Sequence, residues 1–387
     1  MTNRLVALLI LGTLFLSCAR QEKSQQQKAS NASFTEFNFQ SKVKYAKGFT
    51  IKNHDTWKEL VVFDEWKGDT LGYYALVLRG KTKPDKLPAK VIVIQVPISN
   101  IACLSSTHVA ALALLNEQNR ITGVSNPQKI WNKDVAAAYK AGKVVSIGRQ
   151  MNNNIEQILA LSPEVLMKSA YENVRNDDVR ITEAKIPIVY NVEWMEPALL
   201  GRAEWLKFVS AFFCKEREAD SIFSRIETNF HQAQQLTKLV KNRPTVLLGL
   251  DYKGAWHMSG AKSYVAAMLD DAGATFKGNI NKDEQPLSFE QVLDQHGNDD
   301  KWLNWMTPGI SSIEFLGKMN ERYKLFKAFQ TGEIYNHDKR LNAYGGNDFW
   351  ESGVYRPDLL LKDLIKIFHP DLLPDYQTVY WRKLPLK

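Results

Sequence analysis

Asn154-Ile155-Glu156-Gln157-Ile158-Leu159-Ala160 returns 134 positions later as Ser288-Phe289-Glu290-Gln291-Val292-Leu293-Asp294. In both copies a polar capping residue precedes an apolar residue, a Glu-Gln pair and two more apolar residues. A cap oxygen satisfies the free backbone N–H groups at a helix start. Each copy therefore predicts a helix carrying a glutamate in its first turn. Two copies this far apart in 387 residues point to two similar lobes. Two unrelated capped helices would share such a phrase as well, so the surrounding pattern has to decide.

Around the first copy, short apolar strands alternate with helices. Val91 to Val96, Ile121 to Val124, Val144 to Ile147, Val165 to Met167 and Ile186 to Tyr190 are strand-like, while His108 to Asn119 and Ile155 to Leu161 are helical. Unbroken apolar strands between helices indicate a parallel sheet covered on both faces. The alternation then stops. Arg202 to Phe213 is one helix, and Glu216 to about Lys241 is a longer one, with Ala219, Ile222, Phe223, Ile226, Phe230, Ala233 and Leu236 at helical spacing. Arg243-Pro244 ends it.

Around the second copy the alternation resumes. Strands are expected at Thr245 to Leu250, Trp302 to Met306 and Glu333 to Tyr335. Helices are expected at Ser263 to Asp271, Ser288 to Gln295, Met319 to Gln330 and Pro357 to Phe368. The fold class is α/β: two Rossmann-like lobes with parallel sheets, joined by one long α-helix. Before them, Glu59 to Glu65 and Leu71 to Leu78 form a β-hairpin, a short N-terminal extension.

The N-terminus is a targeting segment. Arg4, an apolar run over residues 5–16 and Ser17-Cys18 resemble a bacterial lipoprotein leader, with Cys18 the residue to be lipidated. Residues 19–33 are polar and low in complexity, as a flexible tether would be. The expected organisation is a leader over 1–17, a tether over 18–35, a β extension over 36–88, a first lobe over 89–200, a helical linker over 201–241 and a second lobe over 242–387. No other stretch is long and apolar enough for a membrane span. Cys103 and Cys214 are expected either to pair or to remain buried free thiols.

Four stretches carry a family resemblance. They are Ser105-Ser106-Thr107-His108; Gly148-Arg149 followed by Asn154 to Val165; Leu200-Gly201-Arg202-Ala203-Glu204-Trp205; and Phe349-Trp350-Glu351-Ser352-Gly353-Val354-Tyr355-Arg356-Pro357-Asp358, running on to His369-Pro370. In this order the chain resembles the substrate-binding proteins of ABC importers for ferric siderophores, haem and cobalamin. The resemblance implies a monomer that captures a small metal chelate between its lobes. It also implies delivery to a permease dimer with its ATPase subunits. Glu156 and Glu290 match the glutamates that dock into permease arginines in that family, a task that suits a carboxylate at a helix start.

Ligands of open α/β sheets sit beyond the carboxyl ends of the strands. That rule selects the loops bearing Thr107, His108, Trp131, Arg149, Tyr171, Trp194, Tyr252, Trp256, His257 and Arg340 as ligand-binding candidates. Aromatic faces suit a planar ring, and arginine suits its acidic groups. His108 or His257 would hold the metal if the protein supplied an axial ligand, as it would in an enzyme or cofactor-handling protein built on a similar scaffold. No catalytic motif stands out: there is no His-Glu-x-x-His, Cys-x-x-Cys, phosphate-cradling glycine loop or nucleophile elbow. No resident cofactor or metal is expected, and the chain is read as a binding protein rather than an enzyme. Net charge is +8, but the basic residues are interleaved with acids, so no nucleic-acid partner is indicated. An iron complex is favoured as cargo, with a corrinoid as the alternative. A surface scavenger without an importer is a further reading.

Overall fold

The computed structural model describes residues 37–387 apart from 65–66, 150–151, 171–175, 262, 279–285 and 306–308. The leader, Cys18, the tether and Tyr171 lie outside the described residues.

The first lobe is built on a five-stranded parallel sheet. Its order is Ile188–Tyr190, Leu166–Lys168, Ile101–Cys103, Ile121–Val124 and Val145–Ser146. The second lobe has Val246–Leu248, Lys301–Asn304 and Ile334–Asn336 in parallel, closed by antiparallel Arg382–Lys383. Their central strands are buried, which is why they are short apolar runs without alternation.

One expectation is corrected. Ile92–Val96 does not open the first-lobe sheet. It pairs in parallel with Thr70–Leu78 and completes a four-stranded sheet with Phe49–Asn53 and Trp57–Phe63. The first lobe's central strand is instead Ile101–Cys103, three residues too short for a hydrophobic pattern to reveal.

Two helices join the lobes. Leu199–Ala211 is buried almost all round. Its Leu200 and Ala203 enter the second lobe's core, while Trp205, Phe208 and Val209 enter the first's. A helix apolar on every side is one enclosed by protein. The long helix Glu216–Thr237 places Ala219 in the first core and Phe223, Phe230 and Ala233 in the second. Its 22 residues make a rod of about 33 Å, ending earlier than the expected Lys241. Helix Pro357–Phe368 packs along it. The helix expected over Met319 to Gln330 is two shorter pieces, Glu321–Leu325 and Lys327–Gln330, preceded by a separate helix Ile313–Met319.

The N-terminal extension is fastened to these joining helices. The fully buried carboxylate of Glu204 accepts the backbone N–H groups of Lys44, Tyr45 and Ala46 at 2.6–3.0 Å. Glu196 accepts those of Lys47 and Gly48 at 2.8–3.0 Å, and Trp205 Nε1 at 2.9 Å. Gly48 is required there, because a Cβ would lie 2.9 Å from the Trp205 ring. A backbone strap thus crosses the inter-lobe helix before the extension's first strand.

Cys103 and Cys214 are free thiols. Cys103 lies in the first lobe's central strand, whereas Cys214 turns the chain between the two joining helices with φ of 56°.

Candidate functional site

Between the lobes lies a cleft of about 690 Å³. Strand Ile101–Cys103 leads to Ser105, which caps helix Ser106–Leu114 by accepting the Thr107 N–H at 3.3 Å. The hydroxyls of Ser105 and Thr107 lie 2.9 Å apart. This helix start, with its free N–H groups, forms one wall and favours anionic oxygens. Tyr264, Val265 and Trp305 form the opposite wall, with Trp350 and Val354 from the segment entering both cores.

Arg202 ties the walls together. From the inter-lobe helix its Nε donates to the Glu196 carbonyl at 3.0 Å and its Nη2 to the Trp194 carbonyl at 2.8 Å. Its guanidinium stacks 3.7 Å over the Tyr264 ring of the second lobe, so it is positioned before any ligand arrives. Lys129 adds an exposed cation to the rim.

Glu193 sits in the cleft lining yet is only 2 % exposed. Burial pushes its carboxyl up to about 7, against the opposing pull of the Thr107 hydroxyl, its own backbone N–H and Arg202. Its Oε2 has no hydrogen-bond partner.

The two lobes also meet directly at the rim. The buried Glu351 carboxylate accepts the Trp131 and Asn132 N–H groups, both at 2.8 Å. Asn342 Nδ2 donates to the carbonyls of Gln128 and Ile130 at 3.0 and 3.1 Å. Gly346 lies so close that a Cβ there would overlap the Lys129 carbonyl. Burial pushes the Glu351 carboxyl up to about 7, opposed by the two N–H donors.

Residues 101–341 match a family model described as periplasmic binding protein. The chain belongs to the periplasmic binding protein family. An uncharacterized lipoprotein of Methanocaldococcus jannaschii is 24% identical over 381 residues, covering 92% of this chain and 88% of that protein. Among solved structures, a periplasmic haem-binding protein from Pseudomonas aeruginosa superposes with a TM-score of 0.57 at 16% identity, covering 75% of this chain and 99% of that one. The siderophore-binding protein BauB, bound to two acinetobactin molecules and ferric iron, gives a TM-score of 0.52 at 19% identity, covering 70% of this chain and 92% of its own. Proteins of this family are solute-binding partners of ABC permeases rather than enzymes.

In this periplasmic binding protein, Thr107 and Trp194 line the cleft. Trp131 and Arg340 lie at the rim, the guanidinium 5.4 Å from the Trp131 ring and paired with Asp348 at 2.9 Å. The other sequence candidates are placed elsewhere. His108 points into the first lobe, fully buried, with Nε2 3.4 Å from the Ser169 hydroxyl, and burial pushes it down to about 3. A neutral imidazole sealed in the core is no axial ligand for cleft cargo. Trp256 is fully buried among Trp302, Phe326 and Phe289, donating Nε1 to the Leu248 carbonyl at 2.8 Å. Its hairpin, Asp251–Tyr252 and Ala255–Trp256, turns the indole inward and leaves Tyr252 and His257 exposed. Arg149 is exposed on the small ribbon Gly148–Arg149 and Asn152–Asn153, and it does not line the cleft. Selecting aromatic and basic residues on loops beyond strand ends passed over Glu193, which is acidic, and Arg202 and Tyr264, which lie on helices. The signal for Arg202 was its place in the Leu200-Gly201-Arg202 stretch.

Glu156 and Glu290 occupy equivalent places. Each is the second residue of its helix, Ile155–Leu161 and Phe289–His296, behind the caps Asn154 and Ser288. Their side chains are 76% and 70% exposed. Each carboxyl is held below the usual range, first by its own helix-start N–H and then by an arginine. Arg180 reaches Glu156 at 3.0 Å, and Arg322 pairs with Glu290. Among the described residues, no group of three His, Cys, Asp or Glu side chains is arranged to hold a metal, and no helix is long and apolar enough to cross a membrane.

Proposed function

We propose that this protein is the extracytoplasmic capture component of an ABC importer, anchored through a lipid on Cys18, whose cargo is an anionic iron complex such as a ferric siderophore or haem. The cleft carries this reading. It combines the aromatic faces of Trp194, Tyr264, Trp305 and Trp350 with Arg202, Lys129 and a hydroxyl-lined helix start. Flat rings stack on such faces, and acidic substituents meet fixed positive charge. One structural neighbour is a haem-binding protein and the other a siderophore-binding protein bound to acinetobactin and ferric iron, which supports this class of cargo. A cleft of about 690 Å³ falls within the ordinary size of ligand pockets.

Glu156 and Glu290 dock the loaded protein on the permease. Their intramolecular arginine partners hold the carboxylates outward and are exchanged for permease arginines on docking. The test is uptake of radiolabelled ferric chelate in cells carrying Glu156→Ala with Glu290→Ala. Uptake falls to background while purified variant binds cargo as wild type does. Normal uptake by the double variant rejects the docking role. Saturable binding of cobalamin together with no binding of ferric chelates replaces the cargo assignment by a corrinoid.

A further inference from the structure

Glu193 stands apart in a cleft whose other charged lining groups are cations. Arg202 and Lys129 supply positive charge, and the start of helix Ser106–Leu114 adds the positive end of its dipole. The remaining titratable groups around Glu193 keep one charge state near neutrality. On the helix, His108 is neutral, pushed down to about 3 by burial. On the bridging segment, the Tyr355 phenol is held protonated, its range raised well up by burial. Behind that, burial holds Cys103 as a thiol. Arg202 faces the same cluster from the inter-lobe helix. Glu193 is thus the group in this cluster whose charge changes in the physiological range. It is nine-tenths buried or more, it lines the cleft, and its Oε2 has no partner.

We propose that Glu193 meets the cargo as a protonated carboxyl, donating a hydrogen bond to one of its anionic oxygens, so that capture draws one proton from solvent into the cleft. The inference rests on the cargo being an anionic chelate. Such a cargo, drawn in by Arg202 and Lys129, would be repelled by an ionised Glu193. The Glu193 Oε2 is closed to solvent and has no partner, and a buried polar oxygen without one is costly. A carboxyl that keeps its proton removes both penalties at once, because O–H to an anionic oxygen is among the stronger hydrogen bonds. The proton moves from solvent to Glu193, and no covalent bond of the cargo changes.

The linkage has a definite sign. Bound cargo raises the carboxyl above its open-cleft value of about 7. Affinity therefore rises as pH falls toward about 7 and levels off below it, with a limit of about tenfold per pH unit for one proton. The experiment is calorimetric titration of the full-length protein with haem, a ferric tricatecholate and a ferric trihydroxamate, each in two buffers of different ionisation heat, across neutral pH. Wild type is expected to take up close to one proton on the alkaline side, with affinity weakening about tenfold per unit. Glu193→Gln keeps an N–H donor but cannot titrate. It is expected to bind with no proton linkage from this site and a flat profile. Tight binding by wild type without proton uptake, proton release instead of uptake, or linkage unchanged in Glu193→Gln each overturns the proposal while leaving the cargo assignment standing. Failure of all three chelates to bind overturns both.

Discussion

Replacing Glu204 by alanine tests how the N-terminal extension is joined to the inter-lobe helices. The Glu204 carboxylate is fully buried and accepts three successive backbone N–H groups from Lys44, Tyr45 and Ala46. It also accepts Lys207 Nζ at 3.0 Å, an ammonium only 6 % exposed. Alanine strands those donors and leaves the Lys207 charge with the Lys42 carbonyl at 2.7 Å, Asp220 at 3.4 Å and the Phe223 ring at 4.5 Å. Breaking one side of a buried ion pair costs about 3–5 kcal/mol, most of it from the charge left behind. Glu204→Ala should therefore lose about 3–5 kcal/mol in urea unfolding monitored by tryptophan fluorescence. The double variant Glu204→Ala with Lys207→Met, which removes the stranded charge, should recover part of that loss. A loss below about 1 kcal/mol, or no recovery in the double variant, would refute the reasoning.

Trp256→Ala should cost about 3–5 kcal/mol in the same unfolding assay and leave cargo affinity unchanged, because the indole fills the second lobe's core; weakened binding in the folded variant would return it to the site. The raised carboxyl of Glu351 gives a pH signature. Its favourable contribution is complete below the ordinary carboxylate range and is lost as pH rises toward about 7. Wild type should thus lose stability relative to Glu351→Gln between about pH 4.5 and 7, read from urea midpoints; a difference independent of pH contradicts this. Burial holds Cys103 well above the usual thiol range and lifts Cys214 to about 11. Neither should be alkylated by iodoacetamide in the folded protein near neutral pH, and both should be labelled after denaturation without reductant, by peptide mass spectrometry. Gly346→Ala should loosen the rim, since its Cβ cannot coexist with the Lys129 carbonyl, and proteolysis at the 341–346 loop should quicken.

The lobes, the linker and the paired glutamates were legible because each is a local signal: caps, helical spacing and unbroken apolar strands. Pro357–Phe368 and Tyr264–Asp271 fall where their turn signals put them. The membership of Ile92–Val96 was not legible. An apolar strand announces that it will be buried, but not which neighbour it will pair with, and here it joined the hairpin through parallel contacts with Thr70–Leu78. The site was partly legible for the same reason. The rule of loops beyond strand ends found Thr107 and Trp194, whose neighbours along the chain already set their direction. It failed for Trp256, because a two-residue hairpin turn decides which way the indole faces. Arg202 and Tyr264 act together only because two distant helices bring them within stacking distance. The strap over Glu204 and Glu196 depends on contacts about 150 residues apart, beyond any local pattern.

Equilibrium titration of the purified protein with ferric chelates, followed by quenching of Trp194, Trp305 and Trp350 in the cleft, tests the central claim most directly. Saturable one-to-one quenching by at least one anionic ferric chelate is expected, with Kd of about 1 μM or tighter. Charge reversal at exposed Lys129, Lys129→Glu, should weaken it about tenfold or more without unfolding the protein, an effect that shrinks as salt is raised. No saturable quenching by haem or any ferric siderophore, or binding that ignores Lys129→Glu at low salt, would contradict capture of an anionic iron complex between the lobes.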